Sequence, residues 1–293
     1  MPNGGDRPKT AFVLAGGGSF GAVQVGMLHS LCARGIGADV VVGSSVGSLN
    51  GAYYAGDPTA EGVSKLATIW RGLRRRDVFP FTWRTMLGFL YRRDYLIAAE
   101  GLRALVESNL QYSNLEEARI PIHIVATNML TGATVVLSEG SAAQAIIASA
   151  AIPVVFPPVR FGNFYLVDGA VSSNTAVKVA VQQGAKRLIV LPTGYACALD
   201  KPPKGAIASA LHAITLLIAR QLLSELQELD STNVEYFVLP PLCPLTGSPY
   251  DFSQTDALIE RAIKSTDQWI ADGGLEHPNL HAQLSIHTHR TQH

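Results

Sequence analysis

The run Val41-Val42-Gly43-Ser44-Ser45-Val46-Gly47 is an apolar stretch that ends in Gly-x-Ser-x-Gly. Such a pentapeptide holds a serine on a sharp strand-to-helix turn and presents its hydroxyl above a sheet, with glycines where side chains would clash. Gly43 and Gly47 occupy those two places, which makes Ser45 the candidate nucleophile. Residues 39–42 before it, an aspartate and three β-branched valines, read as a buried strand; residues 47–54 after it, small and then aromatic, read as a closely packed helix. A glycine-rich turn with no catalytic role would share the pattern, so the reading depends on what flanks it.

Upstream, residues 11–15 form a second apolar run that leads into Gly16-Gly17-Gly18-Ser19-Phe20-Gly21 and then a helical pattern over 22–33. Strand, glycine loop and helix together make an anion-binding design. Glycines let the backbone approach closely, and unpaired N–H groups at the helix start point at the anion. A dinucleotide pyrophosphate would need an acidic residue at the end of the second strand. Gly43-Ser44-Ser45 stands there instead, and Asp39 precedes the strand. The other candidate anion is the tetrahedral oxyanion formed when a serine attacks an acyl carbon, whose donors must sit beside the elbow.

Residues 59–73 read as a helix. Between Arg71 and Arg93 lie seven arginines and a single acid, Asp77, interleaved with Phe79, Phe81, Trp83, Phe89 and Tyr91. This stretch reads either as a solvated helix-loop-helix whose aromatics anchor the core, or as a patch for peripheral membrane contact. A further amphipathic helix is expected over 95–110, and a hairpin from residues 120–128 and 133–137 around Leu130-Thr131-Gly132. Residues 141–151 read as a helix, and residues 152–158, with three prolines, as an extended wall. After the turn Phe161-Gly162-Asn163-Phe164, a strand over 165–167 ends in Asp168-Gly169-Ala170. Asp168 is either a turn or N-cap residue or a carboxylate facing Ser45 at the carboxyl edge of the sheet. Strands over 187–191 and 234–239 alternate with helices over 206–229 and 255–270. The alternation argues for an α/β protein whose mostly parallel sheet carries helices on both faces.

Composition narrows the classes. With 47% hydrophobic residues, 16% charged and 27 glycines in 293, the chain can bury a sizeable core. Lys plus Arg and Asp plus Glu are 23 each, so no global field draws in nucleic acid. Cys32, Cys197 and Cys243 lack metal-ligand spacing and are expected to be unpaired thiols of a reducing compartment. Residues 1–10 carry no apolar leader, and the run 206–219, interrupted by His212, is too short to span a bilayer. The expectation is a soluble cytoplasmic protein. A single domain over residues 8–274 is followed by a polar tail, 275–293, whose His281, His287, His289 and His293 read as a frayed end rather than metal ligands. The oligomeric state stays open.

Taken together, three blocks make the chain similar to the bacterial patatin-like phospholipases over nearly its whole length. Gly16-Gly17-Gly18-Ser19-Phe20-Gly21 resembles the family's glycine-rich oxyanion loop, Gly43-Ser44-Ser45-Val46-Gly47 its serine elbow, and Asp168-Gly169-Ala170 its Asp-Gly-Ala/Gly motif. Ser149-Ala150-Ala151-Ile152-Pro153 with Phe156-Pro157-Pro158 matches what precedes the last block. The resemblance implies a three-layer α/β/α fold and a Ser–Asp dyad, with Ser45 as nucleophile and Asp168 as general base. It implies an oxyanion hole at Gly16, Gly17 and Gly18, supported by Gly21, Gly43, Gly47, Gly169 and Ala170. It also implies a lipid or acyl-ester substrate and neither metal nor cofactor. Phe20 departs from the family, where Arg or Lys is common, and leaves the backbone N–H groups of Gly17 and Gly18 as the donors; Ala176 replaces a frequent proline. The rival readings are a histidine triad through His212 or His277, an acyltransferase or general carboxylesterase using Ser45, and a non-enzymatic lipid or nucleotide binder. His29 and His123 are given no role.

Overall fold

The computed structural model of the chain describes residues 7–79, 95–194, 205–243, 245 and 248–279. Phe81, Trp83, Phe89, Tyr91, Arg93, Cys197 and the four histidines from His281 onward lie outside the described residues. Five strands pair in parallel in the order β3 (Ile122–Asn128), β2 (Val40–Ser44), β1 (Thr10–Leu14), β7 (Arg187–Leu191) and β8 (Glu235–Val238). Three more are antiparallel: β4 (Thr134–Leu137) and β6 (Phe164–Asp168) pair with β3, and β5 (Val159–Phe161) pairs with β6.

Strand β1 shows why three layers form. Phe12 and Leu14 join one apolar cluster and Ala11 and Val13 another, so successive side chains bury on opposite faces. Helices α1 (Gly21–Ala33), α2 (Val46–Gly56), α3 (Ala60–Gly72) and α10 (Thr255–Ala271) cover the first face. On the other lie α8 (Val177–Gln182) and the carboxyl half of α9 (Ala206–Leu229). Shorter pieces complete the chain: α4 (Arg75–Val78), α5 (Glu100–Asn109), α6 (Ala142–Ser149) and α7 (Ala170–Ser173). Thr59 and Ser141 cap α3 and α6 by accepting from the Gly62 and Gln144 N–H groups.

The edge of β3 decides where the chemistry sits. Backbone groups of successive strand residues face opposite edges. Asn128 N–H donates to Ala133 O at the start of β4, whereas Met129 N–H donates to Tyr165 O on β6, and Pro121 O accepts from Val41 N–H on β2. Strands β2 and β6 therefore use the same edge of β3, one after the other and in opposite directions. Ser44 lies opposite Val125 and Asp168 opposite Ala126, so the two strands end head to head.

Four expectations are corrected. Residues 152–158 are not an extended wall: Val155 and Phe156 N–H both bond back to Ile152 O, and Val154 sits at φ 72, a strained place for a β-branched residue. Residues 95–99 are not helical; Leu96 and Ile97 N–H donate to Val154 O and Val155 O, and α5 starts at Glu100. Cys243 is disulfide-bonded, against the expectation of unpaired thiols, while Cys32 is free. Past Gly274 the chain stays in contact with the body, for Leu275 packs on the core and Asn279 N–H donates to Tyr236 O.

Where α1 crosses α10, Gly26 lies so close that a Cβ would fall on Ile259 O and Ala262 Cβ. Gly26→Ala is expected to lower stability by about 1–3 kcal/mol, the usual cost of overpacking, read as a drop in the urea midpoint. An unchanged midpoint would mean that the two helices are free to separate.

Candidate active site

Ser45 follows the last residue of β2 and starts α2 with φ 52 and ψ −125, a strained backbone for any residue but glycine. The turn fits only because its neighbours lack side chains. A Cβ at Gly47 would fall on Leu14 O and one at Gly43 on Gly47 O. Ser149 secures the turn from α6, its hydroxyl accepting from Ser45 N–H at 2.9 Å and donating to Val125 O at 2.5 Å.

Asp168 comes down β6 to meet the serine. Ser45 Oγ donates to Asp168 Oδ2 at 2.6 Å, and Ala170 N–H donates to the other oxygen at 2.8 Å. Gly169 makes the approach possible, since a Cβ there would fall on Val125 O and crowd Ser44 Oγ. Ser45 is 7% exposed and Asp168 3%. Burial pushes the Asp168 pKa up from 3.8 to about 6, and the two hydrogen bonds to its carboxylate restrain the rise. The carboxylate is thus ionised at neutral pH yet far more basic than a solvated aspartate, as proton abstraction from a hydroxyl requires. Among the described residues no histidine bonds either side chain; His123 pairs with Ser138 Oγ, His212 is half-buried on α9, and His277 is exposed.

The glycine loop comes up to the serine at Gly16 and carries two unpaired donors. Gly17 and Gly18 N–H have no acceptor among the described residues, and neither does Val46 N–H, directly after the serine at the start of α2. Gly16 departs from the expected role: its N–H donates to Asn174 O at 3.1 Å, so it cannot serve an oxyanion. Its contribution is close approach, because a Cβ there would crowd Ser45 Cβ and Asn174 Oδ1. Thr193 Oγ1 donates to Gly16 O at 2.7 Å, and a Cβ on Gly17 would strike that threonine. Gly18 stands at φ 59, and Phe20 packs on the core.

Beneath the loop lies a buried polar network. Gln24 Nε2 donates to Ala15 O and Leu191 O, Asn50 Nδ2 donates to Gly21 O and Gln24 Oε1, and Trp70 Nε1 donates to Asn50 Oδ1. The loop is thereby held at both ends, by Ala15 O and Gly21 O. From above, Pro249 O accepts from Ser19 N–H at 2.7 Å. Tyr250 follows, packed edge-on against Phe79; burial raises its hydroxyl pKa, and so does the nearby Asp168 charge. Neither Gln24, Asn50 nor Tyr250 is marked by a motif. The one available signal is the presence of Gln24 and Asn50 in helices free of charge. Two surface clefts lie elsewhere, one by Tyr53, Lys65 and Asn109, the other by Glu107, Tyr112 and Ser141.

A sequence model described as patatin-like phospholipase matches residues 12–181, which contain all three motif blocks. The rat patatin-like phospholipase domain-containing protein 7 is 27% identical over 187 residues, covering 63% of this chain and 13% of that protein. Lysophospholipase NTE1 of Candida albicans is 23% identical over 283 residues, covering 89% of this chain and 20% of the relative. The chain thus spans a fifth or less of these relatives' length. Among solved structures, VipD from Legionella pneumophila superposes with a TM-score of 0.52 at 16% identity, covering 97% of this chain and 72% of its own. Human GIVD cytosolic phospholipase A2 in complex with methyl gamma-linolenyl fluorophosphonate inhibitor and terbium chloride gives 0.52 at 15%, covering 94% and 60%. Both share the three-layer fold with its mixed, mostly parallel sheet.

The Asp168 environment has a measurable consequence. Its folded pKa of about 6 lies above the ordinary 3.8, so the folded state binds this proton more tightly and loses stability as pH rises through that window. Asp168→Asn cannot ionise and escapes the loss. Its stability relative to wild type is expected to climb by on the order of 1–3 kcal/mol between pH 4 and pH 7, measured by urea unfolding. A difference that stays flat with pH would show that burial does not perturb this carboxyl.

Proposed function

The chain belongs to the patatin-like phospholipase family, and on that premise we propose that it is a serine acyl hydrolase of lipase or phospholipase A type, cleaving fatty-acyl esters of lipids through Ser45 and Asp168. One observation carries the assignment: the Ser45 hydroxyl donates to a buried carboxylate at 2.6 Å. As Ser45 Oγ attacks the acyl carbon, Asp168 Oδ2 takes the hydroxyl proton. The negative charge that develops on the carbonyl oxygen is met by the N–H groups of Gly17 and Gly18, with Val46 N–H as a further donor. Collapse breaks the ester bond, and the proton on Asp168 passes to the departing alcohol or lysolipid. Water then gives up a proton to Asp168 and attacks the acyl carbon; as the acyl–Oγ bond breaks, that proton passes from Asp168 to Ser45 Oγ, which frees the fatty acid and restores the serine. Ala170 N–H keeps the carboxylate turned toward the serine throughout.

We take residues 8–274 as one catalytic domain, extended by the contacts of Leu275 and Asn279. The polar tail belongs to the same proposal, and its residues 280–293 lie outside the described part. The bacterial affiliation rests on the motif blocks, since the relatives named above are from a mammal and a fungus. Among the described residues no helix is long and apolar enough to cross a membrane. The proposed setting is peripheral contact with a membrane from the cytoplasm. A disulfide at Cys243 weighs against a reducing compartment, and non-reducing gel mobility of thiol-blocked lysate decides that point: a reduced chain supports the cytoplasmic setting, an oxidised one overturns it. In the stretch from Arg71 to Arg93, Arg71 is engaged by Asp256 and Glu260, and Arg74 caps the carbonyls at the end of α3.

Ser45→Ala and Asp168→Asn are each expected to abolish hydrolysis of a soluble p-nitrophenyl ester, and the double variant to lose no more, because the two act as one unit. Fluorophosphonate should label the wild type and not Ser45→Ala. Activity should fall as pH drops below about 6, where Asp168 becomes protonated. Retained activity in Asp168→Asn would eliminate the dyad, and binding of acyl ester without turnover in the wild type would make the protein a lipid binder. Gly17→Ala should reduce turnover by roughly 10²–10³, the scale of a lost oxyanion donor, with a smaller change in KM; an equal loss in both would indicate collapse of the loop.

A further inference from the structure

We propose that Ile214 and Leu217 of α9, with the exposed apolar side chains Met129, Leu130, Phe164, Tyr165 and Val171, form a lipid-inserting surface that seats this protein on a bilayer around its Ser45 site. The purpose of that surface rests on the acyl-hydrolase reading; its existence does not. The fourteen residues 206–219 contain no charge, and at about 1.5 Å per residue they extend about 21 Å, short of the roughly 30 Å hydrocarbon core. Such a helix lies in the interface instead of crossing it.

Helix α9 changes character along its length. Ala219, Leu222, Leu226 and Leu229 are buried, the last three in the core of the second face. Earlier, Ile214 is 51% exposed and Leu217 69%. The same helix thus buries apolar side chains at one end and leaves Ile214 and Leu217 uncovered before it. Exposed apolar groups that lie together mark a contact with something apolar.

Hydrogen bonds run from the carboxyl half of α9, just past the apolar run, to the catalytic aspartate. Gln221, one turn beyond Leu217, donates through Nε2 to Ser172 O at 2.6 Å. Ser172 N–H donates to Thr127 Oγ1, and that hydroxyl donates to Asp168 O at 2.8 Å. Val171, beside Ser172, is 58% exposed. Two residues past Thr127, Met129 N–H donates to Tyr165 O; Met129, Leu130 at the hairpin tip, Phe164 and Tyr165 are all exposed. Val171 and the hairpin side chains thus lie within a few residues of Asp168 and Thr127, and α9 is joined to them through Gln221.

The occupant that fits is a lipid surface. Exposed Arg220 is the first charge after the apolar run, which sets a cation beside an apolar centre as phosphate head groups above hydrocarbon require. A bilayer seated here would bring acyl esters to the elements that carry Thr127 and Asp168.

The test is sedimentation of the full chain with phosphatidylcholine vesicles. Wild type should bind, and binding should persist in about 1 M salt, where the Debye length is about 3 Å and arginine contacts are screened. Ile214→Asp with Leu217→Asp, and separately Leu130→Asp with Phe164→Asp, should each lower partitioning by on the order of tenfold or more. Arg74, Arg75 and Arg76 changed together to Gln should leave it unchanged. Hydrolysis of p-nitrophenyl butyrate should continue in the Ile214 and Leu217 variant. If butyrate is not hydrolysed by any form while vesicle binding follows this pattern, the reaction is wrong and the surface stands. Unchanged partitioning in the Asp variants overturns the surface, as does a wild-type dimer in sedimentation equilibrium that these variants dissociate. Should the Asp variants fail to fold, Leu217→Cys in a Cys32→Ser background, carrying an environment-sensitive fluorophore, decides the matter: blue-shifted emission on vesicles is expected, and its absence overturns the proposal.

Discussion

Two strands of opposite direction share one edge of β3, and the arrangement of the site follows from that constraint. Strand β2 stops at Ser44 opposite Val125, and β6 arrives from the other end to stop at Asp168 opposite Ala126. Neither strand can continue without colliding with the other, so both turn, and each turn carries one of the two polar side chains. A serine at φ 52 and an Asp-Gly step pressed against Val125 O are the local costs of that meeting. The surrounding sheet over-determines the geometry, which is the condition under which strained backbone persists. Ser149 completes the arrangement by joining the two partners of the edge, Ser45 N–H and Val125 O, through one hydroxyl.

Electrostatics and packing act here in the same direction. Closing two strand ends over Asp168 excludes water, and exclusion of water lifts its pKa to about 6. A carboxylate at the usual value would be a feeble base toward a serine, and one much higher would be protonated at neutral pH. The glycine loop is held in the opposite way, for the N–H groups of Gly17 and Gly18 stay unpaired among the described residues while the loop itself is fixed. Gln24 and Asn50 meet that need by binding the carbonyls at its two ends and leaving the N–H groups of Gly17 and Gly18 alone. Removing either amide would leave buried partners unsatisfied at about 1–3 kcal/mol each, so the loop's position is tied to the stability of the core.

Local signals make much of this legible. Buried parallel strands announce themselves as apolar runs, and β1, β2, β7 and β8 fall at the runs 11–15, 39–42, 187–191 and 234–239. Helix α9 matches its expected bounds because its pattern is long and periodic. The elbow and the Asp-Gly-Ala step are visible as motifs because glycine is required where a Cβ would collide. What is not legible depends on contacts distant in sequence. The antiparallel direction of β6 is set by the hairpin that precedes it. Prolines in 152–158 exclude a helix but do not choose between extended chain and turn, and the pairing of Leu96 and Ile97 with that turn also ends the helical register expected from Tyr95. Gly16 shows a finer limit. Its residue type suits an oxyanion donor, and only the position of Asn174 O reveals that its N–H is already committed.

A nearly buried serine raises the question of how the proposed acyl substrate would reach it. Ser45 is only 7% exposed, so little of its surface is open to water. An acyl chain moving through water toward such a site gains nothing until it arrives, whereas one moving from a bilayer along apolar side chains never exchanges its hydrocarbon environment for water. The side chains at Met129, Leu130, Tyr165 and Val171 lie within a few residues of Thr127 and Asp168. The dry surroundings of the carboxylate and the exposed apolar side chains therefore belong to the same part of the fold. In a chain whose positive and negative residues balance at 23 each, that route does not depend on long-range attraction.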